Sequence, residues 1–427
     1  MERTVLDTEN FTNIRSLLGA LAEAMNLVNP SVSHHHEQTA YLTYIIAREL
    51  TLPQEQIYLA VYAALLHDVG SVVSEQQKSV AEIERDGKTV SMIGAQLLYG
   101  LPGFERIADV VAYCQYSFAE ARAFLEEKGE AQLAVLHLSA IVHLADKVSL
   151  MLNPSEPVLN QSKRILNAVE AGRDSEYYGE AVAAFKRISE LEYIWMDVMH
   201  NPQFLMIFTG EIATVSLERT VRMTRLMSRI IDYRSPFTAM HSAGVAASAK
   251  KLAELAGMSK DECLMMEIAG NLHDIGKLRV PNSILEKPGK LTDEEFNIIK
   301  EHPYYTRLIL MNIDGFDKIT DWAGYHHEKL NGRGYPFHFN GDYLDQGARI
   351  MAVADIFSAI TEERPYRKGM TREQATKVMK ENVEYGAICG EMVQLLFDHY
   401  NEVDAIRDYM SREEGQRYFQ SFAENDG

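Results

Sequence analysis

The chain has 427 residues, 46% of them hydrophobic, and a formal net charge of −19. That length leaves room for two or three domains, and that hydrophobic share excludes an intrinsically disordered chain. So acidic a protein lacks the basic face that grips duplex DNA or RNA, and a small anionic substrate would need a local cluster of cations or metals to hold it. No run approaches a membrane span in length, and Met1-Glu2-Arg3-Thr4 leads into a polar segment rather than a signal peptide. Cys114, Cys263 and Cys389 are widely spread and odd in number, which reads as reduced thiols rather than a disulfide framework. We therefore expect a cytoplasmic protein with no membrane partner. Its many methionines read as adaptable core packing.

Taken in order, almost every segment reads as helix. Phe11, Ile14, Leu17, Leu18, Leu21 and Met25 form an amphipathic stripe that Asn29-Pro30 stops. Helices are expected next over 36–50 and from Pro53 to Leu66-His67-Asp68-Val69-Gly70. Others follow over 91–99, 104–116, 131–151, 160–171 and 177–200, punctuated by Asn153-Pro154 and Asn201-Pro202. A charge-rich helical pattern over 211–232 reads as a connector. The second half is expected to be helical over 237–256, 261–274, 293–301, 303–312, 316–327, 346–362, 372–384 and 390–401. Thr292 with Glu295, and Thr371 with Gln374, have capping-box spacing. Only 328–344 breaks the pattern: it is glycine-rich, and Asn340-Gly341 between Phe337, Phe339 and Tyr343 signals a small hairpin.

The two halves repeat each other. His67-Asp68, Gly103-Phe104, Ala145-Asp146 and Gly179-Glu180 answer His273-Asp274, Gly315-Phe316, Ala354-Asp355 and Gly390-Glu391, at offsets of 206, 212, 209 and 211 residues. A repeat this long is a duplicated domain rather than a solenoid unit. With a one-residue loop difference, His36 pairs with His241. The other matches diverge: Val90 stands for His302, Cys114 and Gln115 for His326 and His327, and Ser71 for Lys277.

The second copy thus keeps a full set of candidate metal ligands: His241, His273, Asp274, His302, His326, His327 and Asp355. Neutral imidazoles and carboxylates suit divalent transition metals. Gly276 breaks the helix after His273-Asp274, so both side chains can turn to one ion, and Lys277 sits where a cation could meet a phosphate. Seven ligands exceed the need of one ion, so we expect two divalent ions sharing Asp274. Such ions, about 3.5–4 Å apart, can hold a bridging hydroxide as nucleophile and clamp both oxygens of a phosphodiester. In the first copy His36, His67, Asp68 and Asp146 remain as a minimal, vestigial metal set. His338 and His399 match no motif and read as structural or surface residues.

With His241 upstream and Asp355 downstream, His273-Asp274 resembles the HD phosphohydrolase superfamily. The run His326-His327-Glu328-Lys329-Leu330-Asn331-Gly332-Arg333-Gly334-Tyr335-Pro336 resembles its HD-GYP subfamily. So does Val353-Ala354-Asp355-Ile356-Phe357, followed by Arg364-Pro365-Tyr366-Arg367. The likeness covers about 232–405; the first half resembles a degenerate HD domain. What it implies is an all-α fold that hydrolyses cyclic di-GMP to the linear dinucleotide pGpG, to GMP or to both. The metals would be iron or manganese, with nickel, magnesium or zinc as alternatives. It assigns metal ligation to the seven residues, catalysis to Asp274 and Lys277, and substrate contact to Lys277, Arg333, Tyr335, Arg364 and Arg367. It implies domains at 1–209 (degenerate, regulatory) and 235–427 (catalytic), with a connector helix at 210–234. A second copy of the chain or a signalling protein would be the partner of the first domain.

Three departures from the family pattern stand out. Phe237 replaces a glutamate that supports a third metal in some members, so two metals are expected. Asn331 replaces an aspartate in the loop, and Ser358 replaces an aspartate three residues after Asp355. Other readings stay open at this point: cyclic GMP-AMP as substrate, a non-catalytic nucleotide-sensing or protein-interaction module, or a general HD phosphohydrolase.

Overall fold

The computed structural model describes residues 8–28, 34–73, 80–100, 103–125, 129–200, 214–232, 236–285, 287, 289–363 and 368–423. Helices dominate, as expected of an all-α chain, and the named strands are one short antiparallel pair, Thr12–Asn13 with Thr214–Val215. The chain divides into two compact units, Leu21–Ile212 and Met1–Ala20 with Ala213–Gly427. The first residues therefore go with the C-terminal unit. There the Phe11 ring meets Phe316 at 6.0 Å, and the Asn13 amide donates to the Asp314 carboxylate.

The helix expected as a connector, Leu217–Asp232, is a packed element of the C-terminal unit. It buries Leu217, Val221, Leu226 and Met227 against helices Pro236–Leu255 and Lys260–Leu272. Its charged residues misled the reading because they line only one of its faces.

In the N-terminal unit the central helix is Glu130–Leu150, packed by His35–Glu49, Gln54–Leu66 and Glu105–Tyr113. It is long and apolar enough to cross a membrane, contrary to the expectation that no run is. Most of that apolar length is buried within the unit, as in a core helix. The helix expected over 104–116 ends at Tyr113 and is followed by Phe118–Leu125, and the one expected over 177–200 is two helices, Gly179–Ser189 and Glu192–His200.

In the C-terminal unit both expected capping boxes form, and Ser259 with Glu262 makes a third. Gly270 lets two ligand-bearing helices touch: a Cβ there would lie 2.4 Å from the Ala246 Cα. That contact turns His241 and His273 toward a common space. The expected hairpin is reduced to one antiparallel bridge, Asn331 to Asn340, with the Gly341 N–H donating to the Leu330 carbonyl at 2.9 Å. Asn340-Gly341 closes the mouth of that loop instead of turning it.

Candidate metal centre

All seven residues expected as ligands converge in the C-terminal unit. His241, His273 and Asp355 form one set of mutually adjacent donor atoms, and His302, His326 and His327 form another. His273, Asp274 and His326 form a third set that joins them. Asp274 stands between: its Oδ2 lies 3.2 Å from His273 Nε2, and its Oδ1 lies 3.3 Å from His302 Nε2 and 3.9 Å from His326 Nε2. Asp355 spans the other side, 3.2 Å from His241 Nε2 and 3.7 Å from His327 Nδ1.

Local structure fixes which nitrogen faces inward. His273, His302 and His326 each sit at a helix boundary and donate Nδ1–H to the carbonyl three residues back, on Gly270, Ile299 and Ala323, at 2.8, 2.7 and 2.6 Å. That bond leaves each Nε2 as a lone pair. His302 and His326 thus point two acceptors at each other across 3.2 Å. Buried His273 Nε2 and Asp274 Oδ1 have no hydrogen-bond partner among the described residues. Converging, desolvated acceptors without donors are what a cation needs, so the residues present fit a metal.

The electrostatics agree. Burial pushes His302 down to about 3 and His326 to about 4, the latter helped by His273, while burial and His326 hold His327 well below the usual range. These rings are neutral and ready to coordinate. Burial lowers His241 too, but the Asp355 and Glu362 carboxylates overcome it and raise the ring to about 10. A metal must displace that proton. Titrating metal into the metal-free protein near pH 7 is expected to release about one proton, read from the buffer dependence of the binding heat, and affinity should climb as pH rises toward 10. The same shifts set stability. His241, raised above its unfolded value, stabilises fully below about pH 6.5 and loses that contribution as pH rises through 10. His302 and His326, depressed, resist protonation, so stability is lost as pH falls below about 6.5. The metal-free C-terminal unit should melt highest near pH 6.5, and a melting point that keeps rising to pH 9 would contradict these assignments.

Lys277 Nζ donates to Asp274 Oδ2 at 2.5 Å, which puts its cation beside the candidate ligands. Tyr335 is adjacent, its ring 4.8 Å from that of His327. Beside Tyr335 a cavity of about 390 Å³ is lined by Tyr304, Tyr305, Pro336, Lys300 and His338. Arg333 is placed elsewhere: it is exposed and donates to the Tyr385 hydroxyl at 2.8 Å, drawn off by that ring. Arg364 and Arg367 lie outside the described residues, and so does the side chain of Phe237. A larger cavity is lined by basic residues that are ion-paired, Arg229 to Glu414, Lys251 to Glu402, and Arg225 and Lys250 to Glu267.

Sequence reasoning gave Glu328 no role. It is buried, and its two oxygens accept the N–H groups of Phe337 (2.7 Å) and Phe339 (3.0 Å), tying the loop that carries Tyr335 to the histidine pair. Gly334 packs on the same residue, where a Cβ would lie 2.4 Å from the Glu328 Cα. Glu328→Ala should cost about 1–3 kcal/mol through two unpaired donors, and raise KM about tenfold while kcat changes little, since the ligands stay in place. Steady-state kinetics and a thermal melt check this; an unchanged KM would count against the clamp.

In the N-terminal unit the cluster forms from His35, His67 and Asp146, with Asp68 beside it. His35 Nε2 lies 3.0 Å from Asp146 Oδ1 and 3.1 Å from His67 Nε2. The expectation of His36 is corrected by one position: His36 Nδ1 is engaged by Asn26 at 2.8 Å. The missed signal was the ungapped offset, because 206 residues separate His35 from His241 just as they separate His67 from His273. Gln115 donates to Asp146 at 3.0 Å, and the Lys147 ammonium lies 3.3 Å from the same carboxylate. The Cys114 thiol is raised by burial and donates to the Val111 carbonyl at 3.1 Å, which leaves it a protonated core residue.

Residues 225–387 and residues 32–151 each match a family model described as HD domain. The 3′3′-cGAMP-specific phosphodiesterase 1 of Vibrio cholerae is 28% identical over 402 residues, 90% of each chain. The same organism's 3′3′-cGAMP-specific phosphodiesterase 3 is 32% identical across 56% of this chain and 63% of its own length. A cyclic di-GMP phosphodiesterase of Pseudomonas aeruginosa is 39% identical over 146 residues, 34% of this chain and 35% of its own. The fold matches a crystal structure of a cyclic GMP-AMP specific phosphodiesterase of V. cholerae, with TM-score 0.63 and 23% identity over 91% of this chain and 98% of that one.

Proposed function

We start from this chain's membership of the HD phosphohydrolases, of HD-GYP type with two HD domains in tandem, and propose that its C-terminal half hydrolyses a cyclic dinucleotide at a two-metal centre. The observation that carries this reading is the convergence of seven ligands on one buried carboxylate with two faces. His241, His273 and Asp355 would hold one ion, His302, His326 and His327 the other, and Asp274 would serve both. Iron or manganese suits this nitrogen-rich donor set. When bound, such ions lower the pKa of water toward neutrality and stabilise charge on a phosphodiester.

The chain's own residues do the rest. The neutral rings of His302, His326 and His327 keep their side of the ligand set free of competing protons. Lys277, beside Asp274, is placed to neutralise a phosphate oxygen as charge builds. Tyr335 and its aromatic cavity offer a stacking wall for a purine. The clamp by Glu328 holds that wall against the histidine pair. In the N-terminal unit Val90, Cys114 and Gln115 replace three imidazoles, so turnover there is not supported, and a sensing or docking role is assigned to that unit.

Cyclic di-GMP is the first substrate to test. A second reading, 3′3′-cGAMP, is favoured by a specific observation: the relative aligned through both halves is named for it. Anaerobically purified protein loaded with iron or manganese should linearise one of the two, with products separated by chromatography as linear dinucleotide or mononucleotides. Inactivity of metal-loaded protein on every cyclic dinucleotide would reject the enzyme reading in favour of a binding module.

A further inference from the structure

Of the five histidines of the centre, three use a backbone carbonyl to fix Nδ1–H, His327 turns its Nδ1 toward Asp355 at 3.7 Å, and His241 does neither. His241 lies inside helix Pro236–Leu255, where carbonyls are committed to the helical ladder. Its Nε2 faces Asp355, and its buried Nδ1 makes no hydrogen bond among the described residues. The carboxylate facing that nitrogen is Glu362, with Oε2 at 3.5 Å.

Glu362 is itself only 3% exposed. It follows the helix Gln346–Thr361 that carries Asp355, seven residues on and so on the same side. At Glu362 the backbone leaves the helix, with φ −71 and ψ 138. The returning chain pins that end: Met370 N–H donates to the Ile360 carbonyl at 2.9 Å, and Gly369 packs so closely that a Cβ would lie 2.1 Å from the Thr361 oxygen. Here the carboxylate is held 3.5 Å from the Nδ1 of a ligand imidazole that turns its Nε2 to Asp355.

Building on the two-metal reading, we propose that Glu362 is a positioning residue: it takes the Nδ1–H of His241, fixes the tautomer that offers Nε2, and strengthens that ligand for the ion shared with His273 and Asp355. A carboxylate in this place raises ligand basicity more than a carbonyl does, and losing such a partner typically lowers metal affinity about 10–100-fold. The effect falls on one ion, because His302 and His326 have their own backbone acceptors and His327 faces Asp355 rather than Glu362.

The test is manganese titration of the full-length protein, wild type against Glu362→Gln and Glu362→Asp, with calorimetry, elemental analysis after desalting and a melt of the metal-free forms. Wild type should retain two ions. Glu362→Gln should bind one as before and the other about 10–100-fold more weakly; Glu362→Asp should recover part of the loss, and excess manganese should restore occupancy. Unchanged affinity for both ions in Glu362→Gln overturns the proposal. So does equal loss of both ions, or a lowered metal-free melting point with affinity intact, either of which marks a merely structural role. A wild type that binds no metal would instead defeat the metal-centre reading beneath it.

Discussion

Asp274→Ala should abolish turnover, lowering kcat on the order of 10³-fold or more, and the variant should come off a desalting column with little metal. The carboxylate is buried, and its two oxygens face different imidazole sets, so its loss uncouples both at once. Among the described residues, Asp355 also reaches both sets, but its nearest imidazole in the second is His327 Nδ1 at 3.7 Å. In the metal-free protein Asp274 is ionised: burial raises its pKa, but His273 and Lys277 hold it well below the usual carboxylate range. Asp274→Asn keeps the volume and removes the charge, which separates packing from electrostatics. Both variants should fail alike, and a turnover within tenfold of wild type in either would remove Asp274 from the centre.

Gly276→Ala is the second large effect. A Cβ at Gly276 would lie 2.0 Å from the His302 carbonyl oxygen and 2.7 Å from the Thr306 nitrogen, so the start of helix His302–Leu310 must retreat. Thr306 locks the same junction, accepting from Gly276 N–H at 3.1 Å and donating to the His273 carbonyl at 2.8 Å. Overpacking here should cost about 1–3 kcal/mol and pull His302 off the cluster, reducing metal content along with the melting point. Gly70 in the first copy is the control. Its Cβ would lie 2.1 Å from the Val90 carbonyl, the same contact made where no histidine remains. Gly70→Ala should destabilise similarly while leaving the C-terminal metal centre loaded. A Gly276→Ala protein that melts like wild type and keeps both metals would show that this junction yields.

That pair of glycines explains what the first copy kept. The approach of the turn after the histidine-aspartate pair to the next helix is a packing requirement and persists in both halves. The imidazole on that helix is a chemical requirement and has gone from Val90. Gln115 and Lys147 fill the space beside Asp146 with hydrogen bonds and a fixed ammonium, so a second ion has lost both its donors and its room.

The order of the residues alone carried the helical class, the duplication and the seven candidate ligands, because helix periodicity and paired donors at helix ends are local patterns. It placed the first-copy histidine one position late, since a single-residue choice between His35 and His36 depends on which ring the helix start turns inward. Only the tertiary structure decided the roles of Glu328 and Glu362. Each is a carboxylate of the commonest surface type, and what distinguishes it is the group that burial sets opposite: two loop N–H groups for one, and for the other an imidazole 121 positions earlier in the chain. The partner of a buried charge is chosen by how helices pack, and that choice leaves no period in the sequence to read.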